Sequence, residues 1–136
     1  MQLTKAEEQV MRYVWNLEKA YLKNIIDEFP DPKPAATTVA TLLKRVIDKG
    51  FVGYHQYGSN REYFPMVKKT EYFSKQVNSM IKDYFNNSAS QFASFFTNET
   101  KLNLTDLEEI KKLVEEKIIK QKKSKWNDNL YYQIDN

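Results

Sequence analysis

The sequence predicts a mostly α protein with a small β-hairpin. Three observations predict it. Apolar residues recur at helical spacing through most of the chain. Pro30, Pro32 and Pro34 interrupt that spacing early, which separates a helix and a second, shorter one from the long helix that follows. Strand character is concentrated in residues 51–67, around the turn residues Tyr57-Gly58-Ser59-Asn60.

Thr4 opens the first helix through a capping box with Glu7, hydroxyl to amide in one direction and carboxylate to amide in the other. Val10, Met11, Val14 and Trp15 form its apolar side, and it should end near Glu18 or Lys19. A second helix fits residues 22–29, with Leu22, Ile25, Ile26 and Phe29 on one side. After Pro34, a third carries Val39, Leu42, Leu43, Val46 and Ile47 on a single face. Another face presents Thr38, Thr41, Lys44 and Arg45, short hydroxyls and cations that can reach base edges and phosphates. Gly50, just after Lys49, supplies the positive φ that ends a helix.

An amphipathic helix with a solvated polar face explains that segment alone. Its neighbours favour a DNA-recognition helix, because three helices in this order resemble a helix-turn-helix core. Residues 51–56 read as a strand and residues 61–67 as a second strand ending at Pro65, with Gly58 and Asn60 tolerating the φ values of the tip. The whole order is that of an N-terminal winged helix-turn-helix. The wing carries Tyr57, Asn60 and Arg61, with His55 on the approach. Arg61 is the candidate phosphate or minor-groove contact; its bland alternative is a solvated charge paired with Glu62.

A new pattern starts at Lys69. Phe73, Val77, Met80, Ile81, Tyr84 and Phe85 mark a helix with a wide apolar stripe, interrupted by Asn86-Asn87-Ser88. Phe92, Phe95 and Phe96 crowd the next short segment, and residues 98–103 form a polar connection. A second capping box, Thr105 with Glu108, starts a last helix bearing Leu107, Ile110, Leu113, Val114 and Ile118 and ending in the lysines of residues 120–125. Stripes this aromatic on so few helices would leave a large apolar patch in water. A second subunit related by two-fold symmetry covers it most simply. The expected dimer interface is Phe73, Val77, Met80, Ile81, Tyr84, Phe92, Phe95, Phe96, Leu107, Ile110, Leu113 and Val114; the alternative is closure onto the N-terminal part of the same chain. Residues 1–67 thus form a winged-helix DNA-binding domain, 68–125 a C-terminal helical dimerisation region, and 126–136 a tail with two aromatic clusters and no clear period.

Composition narrows the chemistry. A net charge of +3 advertises no strong field, so DNA affinity has to come from local clustering. Absence of cysteine excludes disulfides, a thiolate zinc site and a cysteine nucleophile. The lone His55 argues against a histidine metal site. With glycine confined to Gly50, Gly53 and Gly58 there is no phosphate loop, and no serine sits in a nucleophile elbow. Neither an enzyme, a cofactor nor a metal is expected. No apolar signal core opens the chain and no run approaches a membrane span, which points to the cytoplasm.

These residues resemble the penicillinase-repressor family of winged-helix transcription regulators, which includes β-lactamase and methicillin-resistance repressors and a copper-responsive branch. The resemblance covers about residues 3–118. It is carried by the run from Leu3 to Met11 followed by Trp15, by the run from Thr37 to Val46 with Asp48-Lys49-Gly50-Phe51-Val52, by Glu62 to Val67, and by Leu104 to Ile110. It implies a homodimer that binds a double-stranded inverted-repeat operator through its winged helix, represses transcription, and interlocks through its C-terminal helices. The family's recognition-helix threonine falls on Thr38. Two positions that are Lys and Arg in methicillin-type members fall on Thr37 and Ala40. A bidentate Arg-to-guanine contact, worth ~1–3 kcal/mol of discrimination, is therefore missing, and the operator should differ. The resistance members are released by a membrane sensor protease that cuts between Asn and Phe. That bond falls on Ser94–Phe95, with Ser in place of Asn. The copper branch's C-terminal cysteines have no counterpart.

Two readings from other classes stand beside this one. A winged helix can serve as a protein–protein interaction adaptor without specific DNA binding. A small-molecule sensor could use a pocket among Tyr84, Phe92, Phe95 and Phe96.

Overall fold

The structure is a computed structural model that describes residues 2–135, with side chains through residue 129. It is mostly helical with a small three-stranded antiparallel sheet, and it divides into two compact units between Ser79 and Met80.

In the first unit, α1 spans Lys5–Leu17. Its capping box forms as expected: the Glu7 amide donates to Thr4 Oγ1 at 3.2 Å, and the Thr4 amide to Glu7 Oε1 at 2.8 Å. Two residues, Ala20–Tyr21, make β1, and α2 follows over Leu22–Glu28, with Asn24 Oδ1 accepting from the Tyr21 amide at 2.9 Å. The third helix, α3, spans Ala36–Asp48. Val39, Leu43 and Val46 on α3 meet Val10, Met11 and Val14 of α1 and Ile25 of α2 in one closed core.

Gly50 ends α3 with φ +84°. Its amide donates to the Ile47 carbonyl at 2.9 Å and the Phe51 amide to the Val46 carbonyl at 2.9 Å, the paired bonds of a Schellman cap. The chain leaves as β2, Val52–Tyr57, and returns as β3, Asn60–Pro65. Tyr57 pairs with Asn60, so Gly58 and Ser59 are the two turn residues. Gly58 alone in this turn has positive φ, +61°, as a type II′ turn requires at its first central position. Asn60, expected to share the strain of the tip, is instead the first residue of the returning strand. The expected hairpin is also one strand short of the sheet: β1 pairs with β3, giving the order β1-β3-β2. Two residues cannot show a period of two, so β1 left no trace in the sequence.

The next helix, α4, spans Lys69–Tyr84. Its first half packs into the first unit through Tyr72, which is 4% exposed. The Tyr72 hydroxyl donates to Glu8 Oε1 at 3.0 Å and accepts from the Leu3 amide at 3.3 Å. Trp15 and Phe51 flank the ring at centroid distances of 5.9 and 5.5 Å. Trp15 Nε1 donates to the Val67 carbonyl at 2.8 Å, which holds the chain just before α4.

In the second unit, Asn86 and Asn87 turn the chain with φ values of +54° and +56°. Ser88 caps α5, Ala89–Glu99, by accepting from the Gln91 amide. Phe85 packs against Phe92 and Phe95 at 5.5 and 5.2 Å. The last helix, α6, spans Leu104–Asp135. Its capping box is Asn103 with Asp106 and not the expected Thr105 with Glu108: the Asp106 amide donates to Asn103 Oδ1 at 2.8 Å and the Asn103 amide to Asp106 Oδ2 at 3.1 Å. Asparagine is the stronger cap, so the helix starts where asparagine stands. The lysines of residues 120–125 do not end it. No glycine or proline follows Pro65, and α6 runs on through the expected tail; Asn136 lies outside the described residues. Among residues 80–129 no side chain is buried.

Candidate nucleic-acid interface

The outward face of α3 follows from its inward one. With Val39, Leu43 and Val46 fixed in the core, 100° per residue turns Thr37, Thr38, Thr41, Lys44 and Arg45 to the surface, and all five are exposed. Ala40 and Asp48 share that surface. The Thr41 hydroxyl donates to the Thr37 carbonyl at 2.9 Å, so toward a base edge it offers lone pairs and a methyl group. Asp48 lies one turn beyond Lys44 and adds a negative charge that sequence reasoning passed over; the i, i+4 spacing from Lys44 was the available signal.

The position of α3 is fixed from below by a charge. Lys49 Nζ, at the C-terminal cap of α3, lies 2.7 Å from Glu7 Oε1 on α1 and donates to the Gln2 carbonyl at 3.3 Å. Glu7 is 1% exposed. Burial pushes its carboxyl pKa up, but the Lys49 ammonium together with the Thr4 amide and hydroxyl outweighs burial and holds it below the ordinary carboxylate range. Glu7 was legible as a capping residue; its partner 42 positions away was not.

The wing divides its candidate residues. Side chains alternate along a strand, so Tyr54 and Gln56 share one sheet face with Arg61 and Tyr63, while His55 and Tyr57 share the other with Asn60 and Glu62. Arg61 and Glu62, considered as a pair from sequence, therefore point to opposite faces. Instead the Arg61 guanidinium lies 4.3 Å above the Tyr54 ring centroid, and its Nε donates to Gln56 Oε1 at 3.2 Å. On the far face His55 stacks on Phe64 at 4.9 Å. Between the wing and α3 lies a notch of about 390 Å³ lined by Lys44, Asp48, Tyr54, Arg61 and Tyr63, among others.

The residues expected at a dimer interface are accessible to different degrees. Tyr84 is 80% and Leu113 64% exposed; Val114, Phe95, Phe96, Met80 and Val77 are likewise exposed. Phe73 is exposed on one side and packs on Trp15 and Tyr72 on the other. Ile81, Phe92, Leu107 and Ile110 are partly covered. Ser94 and Phe95 are exposed at the middle of α5, where Asn98 Nδ2 donates to Ser94 Oγ at 3.3 Å. Among the described residues no group of His, Asp and Glu can hold a metal ion, and no helix is long and apolar enough to cross a membrane.

Comparison with known proteins gives the family. A family model described as penicillinase repressor matches residues 3–116. The chain is 23% identical to a penicillinase repressor of Bacillus licheniformis over 116 residues, covering 85% of this chain and 91% of that one. It is 23% identical to the methicillin resistance regulatory protein MecI of Staphylococcus aureus (strain N315) over 117 residues, covering 85% and 95%. The solved DNA-binding domain of the repressor BlaI superposes with a TM-score of 0.47 at 28% identity, over 52% of this chain and 88% of that one. The chain belongs to the penicillinase repressor family, a family of DNA-binding repressors and not of enzymes.

Proposed function

We propose that this chain is a homodimeric, sequence-specific DNA-binding transcriptional repressor that acts in the cytoplasm on a double-stranded inverted-repeat operator. Each α3 enters a major groove, with Thr37, Thr38 and Thr41 toward bases and Lys44 and Arg45 toward phosphates. Tyr57, Asn60 and Arg61 on the wing meet the flank. One observation carries the reading: a winged helix with a closed core continues into a helical unit in which no described side chain is buried. Leu113, Val114, Phe95 and Phe96 need a cover, and a second copy provides it while holding two α3 faces together.

Release is part of the reading. Ser94–Phe95 lies on an 11-residue helix with no buried side chain in its own subunit, so within one chain only the cover from the second copy opposes local unwinding into a protease. Cleavage there by a membrane sensor protease removes the tether, and two linked DNA contacts become separate weak ones.

Selection of bound duplexes from random DNA by the purified chain, followed by gel shifts at several salt concentrations, tests the proposal. An inverted repeat should emerge. Lys44→Ala combined with Arg45→Ala should weaken binding at least tenfold and lower the salt slope. An adaptor would enrich no sequence, and unchanged binding by the double variant would remove α3 from the interface.

A further inference from the structure

Arg61 is not a free wing charge. Gln56 stands directly opposite it across the hairpin, and Tyr54 is its diagonal neighbour on the same sheet face. The guanidinium is stacked 4.3 Å above the Tyr54 centroid and tied to Gln56 Oε1 at 3.2 Å through Nε. Tyr54 in turn leans on Tyr63, which is 7% exposed and belongs to the core, at a ring-centroid distance of 6.1 Å. The seat is thus backed by the core of the unit. Nε is thereby used and the other guanidinium N–H donors are left for a ligand, and Arg61 lines the notch beside α3 together with Lys44.

From this we infer that Lys44 and Arg61 bracket one backbone phosphate of bound DNA in that notch, and that Tyr54 and Gln56 are positioning residues that hold Arg61 for it. The inference rests on the DNA-binding reading above and makes it specific: Arg61 contacts a phosphodiester at the groove edge, not bases in the minor groove. An unrestrained arginine loses side-chain freedom when it binds. Stacked on Tyr54, Arg61 has lost it before DNA arrives, so the contact is stronger than that of a loose cation. Aromatic faces attract cations without neutralising them, which leaves the full charge for the phosphate. Asp48 on the same wall repels phosphate, which makes the fixed placement of the two cations matter more.

The test uses the full chain with two duplexes, the one selected above and a mixed-sequence control, in Tyr54→Leu, Tyr54→Phe, Gln56→Ala, Arg61→Ala and the Tyr54→Leu/Arg61→Ala double variant. Thermal melts confirm folding of each. Tyr54→Leu and Arg61→Ala should each weaken binding roughly 5- to 20-fold on both duplexes, and lower the slope of log K against log salt by up to roughly 2 per dimer, less to the extent that Lys44 alone still neutralises the shared phosphate. Tyr54→Phe should bind like the parent, Gln56→Ala roughly 2-fold more weakly, and the double variant no more weakly than Arg61→Ala. In free protein the NMR signal of the Arg61 Nε–H should be ring-shifted, and lose that shift in Tyr54→Leu. Parental affinity and salt slope in Tyr54→Leu, additive losses in the double variant, or a loss confined to the selected duplex would each overturn the inference while leaving DNA binding intact. Failure of the parent chain to bind either duplex would overturn the DNA-binding reading and this inference with it.

Discussion

At the scale of the residue, two side chains and one missing side chain set the attitude of α3. Gly50 occupies a left-handed conformation that costs an L-residue ~1–2 kcal/mol. Nothing lies within 4 Å of the site a Cβ would take, so the cost of Gly50→Ala is backbone strain alone. The free energy of unfolding from urea titration should fall by that amount, and Gly50→Asn should recover part of it. Glu7 is the other control. Its folded pKa lies below its unfolded value, so the Lys49 pair contributes stability above the unfolded pKa and loses it as pH falls through the folded one. Glu7→Gln should therefore destabilise the chain by ~2–4 kcal/mol at neutral pH. On acidification below about pH 4 the gap between variant and parent should narrow, which urea melts across pH will show. A constant gap would mean that Glu7 acts through shape rather than charge.

Elements defined by neighbours in sequence were legible; elements defined by distant partners were not. The Thr4–Glu7 box, the inward face of α3 and Gly50 need only a few consecutive residues to specify them. By contrast β1 exists because Ala20 and Tyr21 lie opposite Tyr63 and Glu62, a pairing no local pattern announces. The same holds for Tyr72, which was passed over for its neighbour Phe73 because the apolar stripe of α4 was read without its partners Leu3, Glu8 and Trp15. Of the candidate interface, the face of α3 was legible from spacing, while the seat of Arg61 depends on hairpin register. The start of α6 was misplaced for a different reason. Asn103–Asp106 and Thr105–Glu108 both satisfy the capping pattern, and only geometry separates them. Asn103→Ala should cost α6 about 1 kcal/mol, and Thr105→Ala no more than a few tenths, by far-UV circular dichroism melts. Equal effects would return the cap to Thr105.

The whole molecule poses a question of missing partners. Its first unit closes a core around Met11, Ile25, Leu43 and Val46, and its second leaves Leu113, Val114, Ile119 and Trp126 more than half exposed. A unit with no buried side chain among its described residues is not stable by itself, because hydrophobic burial is what offsets the entropy of ordering. If a second copy supplies the other layer, the melting temperature of the second unit should rise with protein concentration. Leu113→Glu together with Val114→Glu should abolish dimerisation, leave the first unit folded and reduce operator affinity at least a hundredfold, because the tether supplies the second contact. The most direct test is the solution mass of the full chain at micromolar concentration by light scattering, alone and on its selected duplex. The proposed function requires twice the 16.2 kDa of one chain when free, and two chains per duplex when bound. A single 16.2 kDa species in which the second unit is nevertheless folded would contradict it.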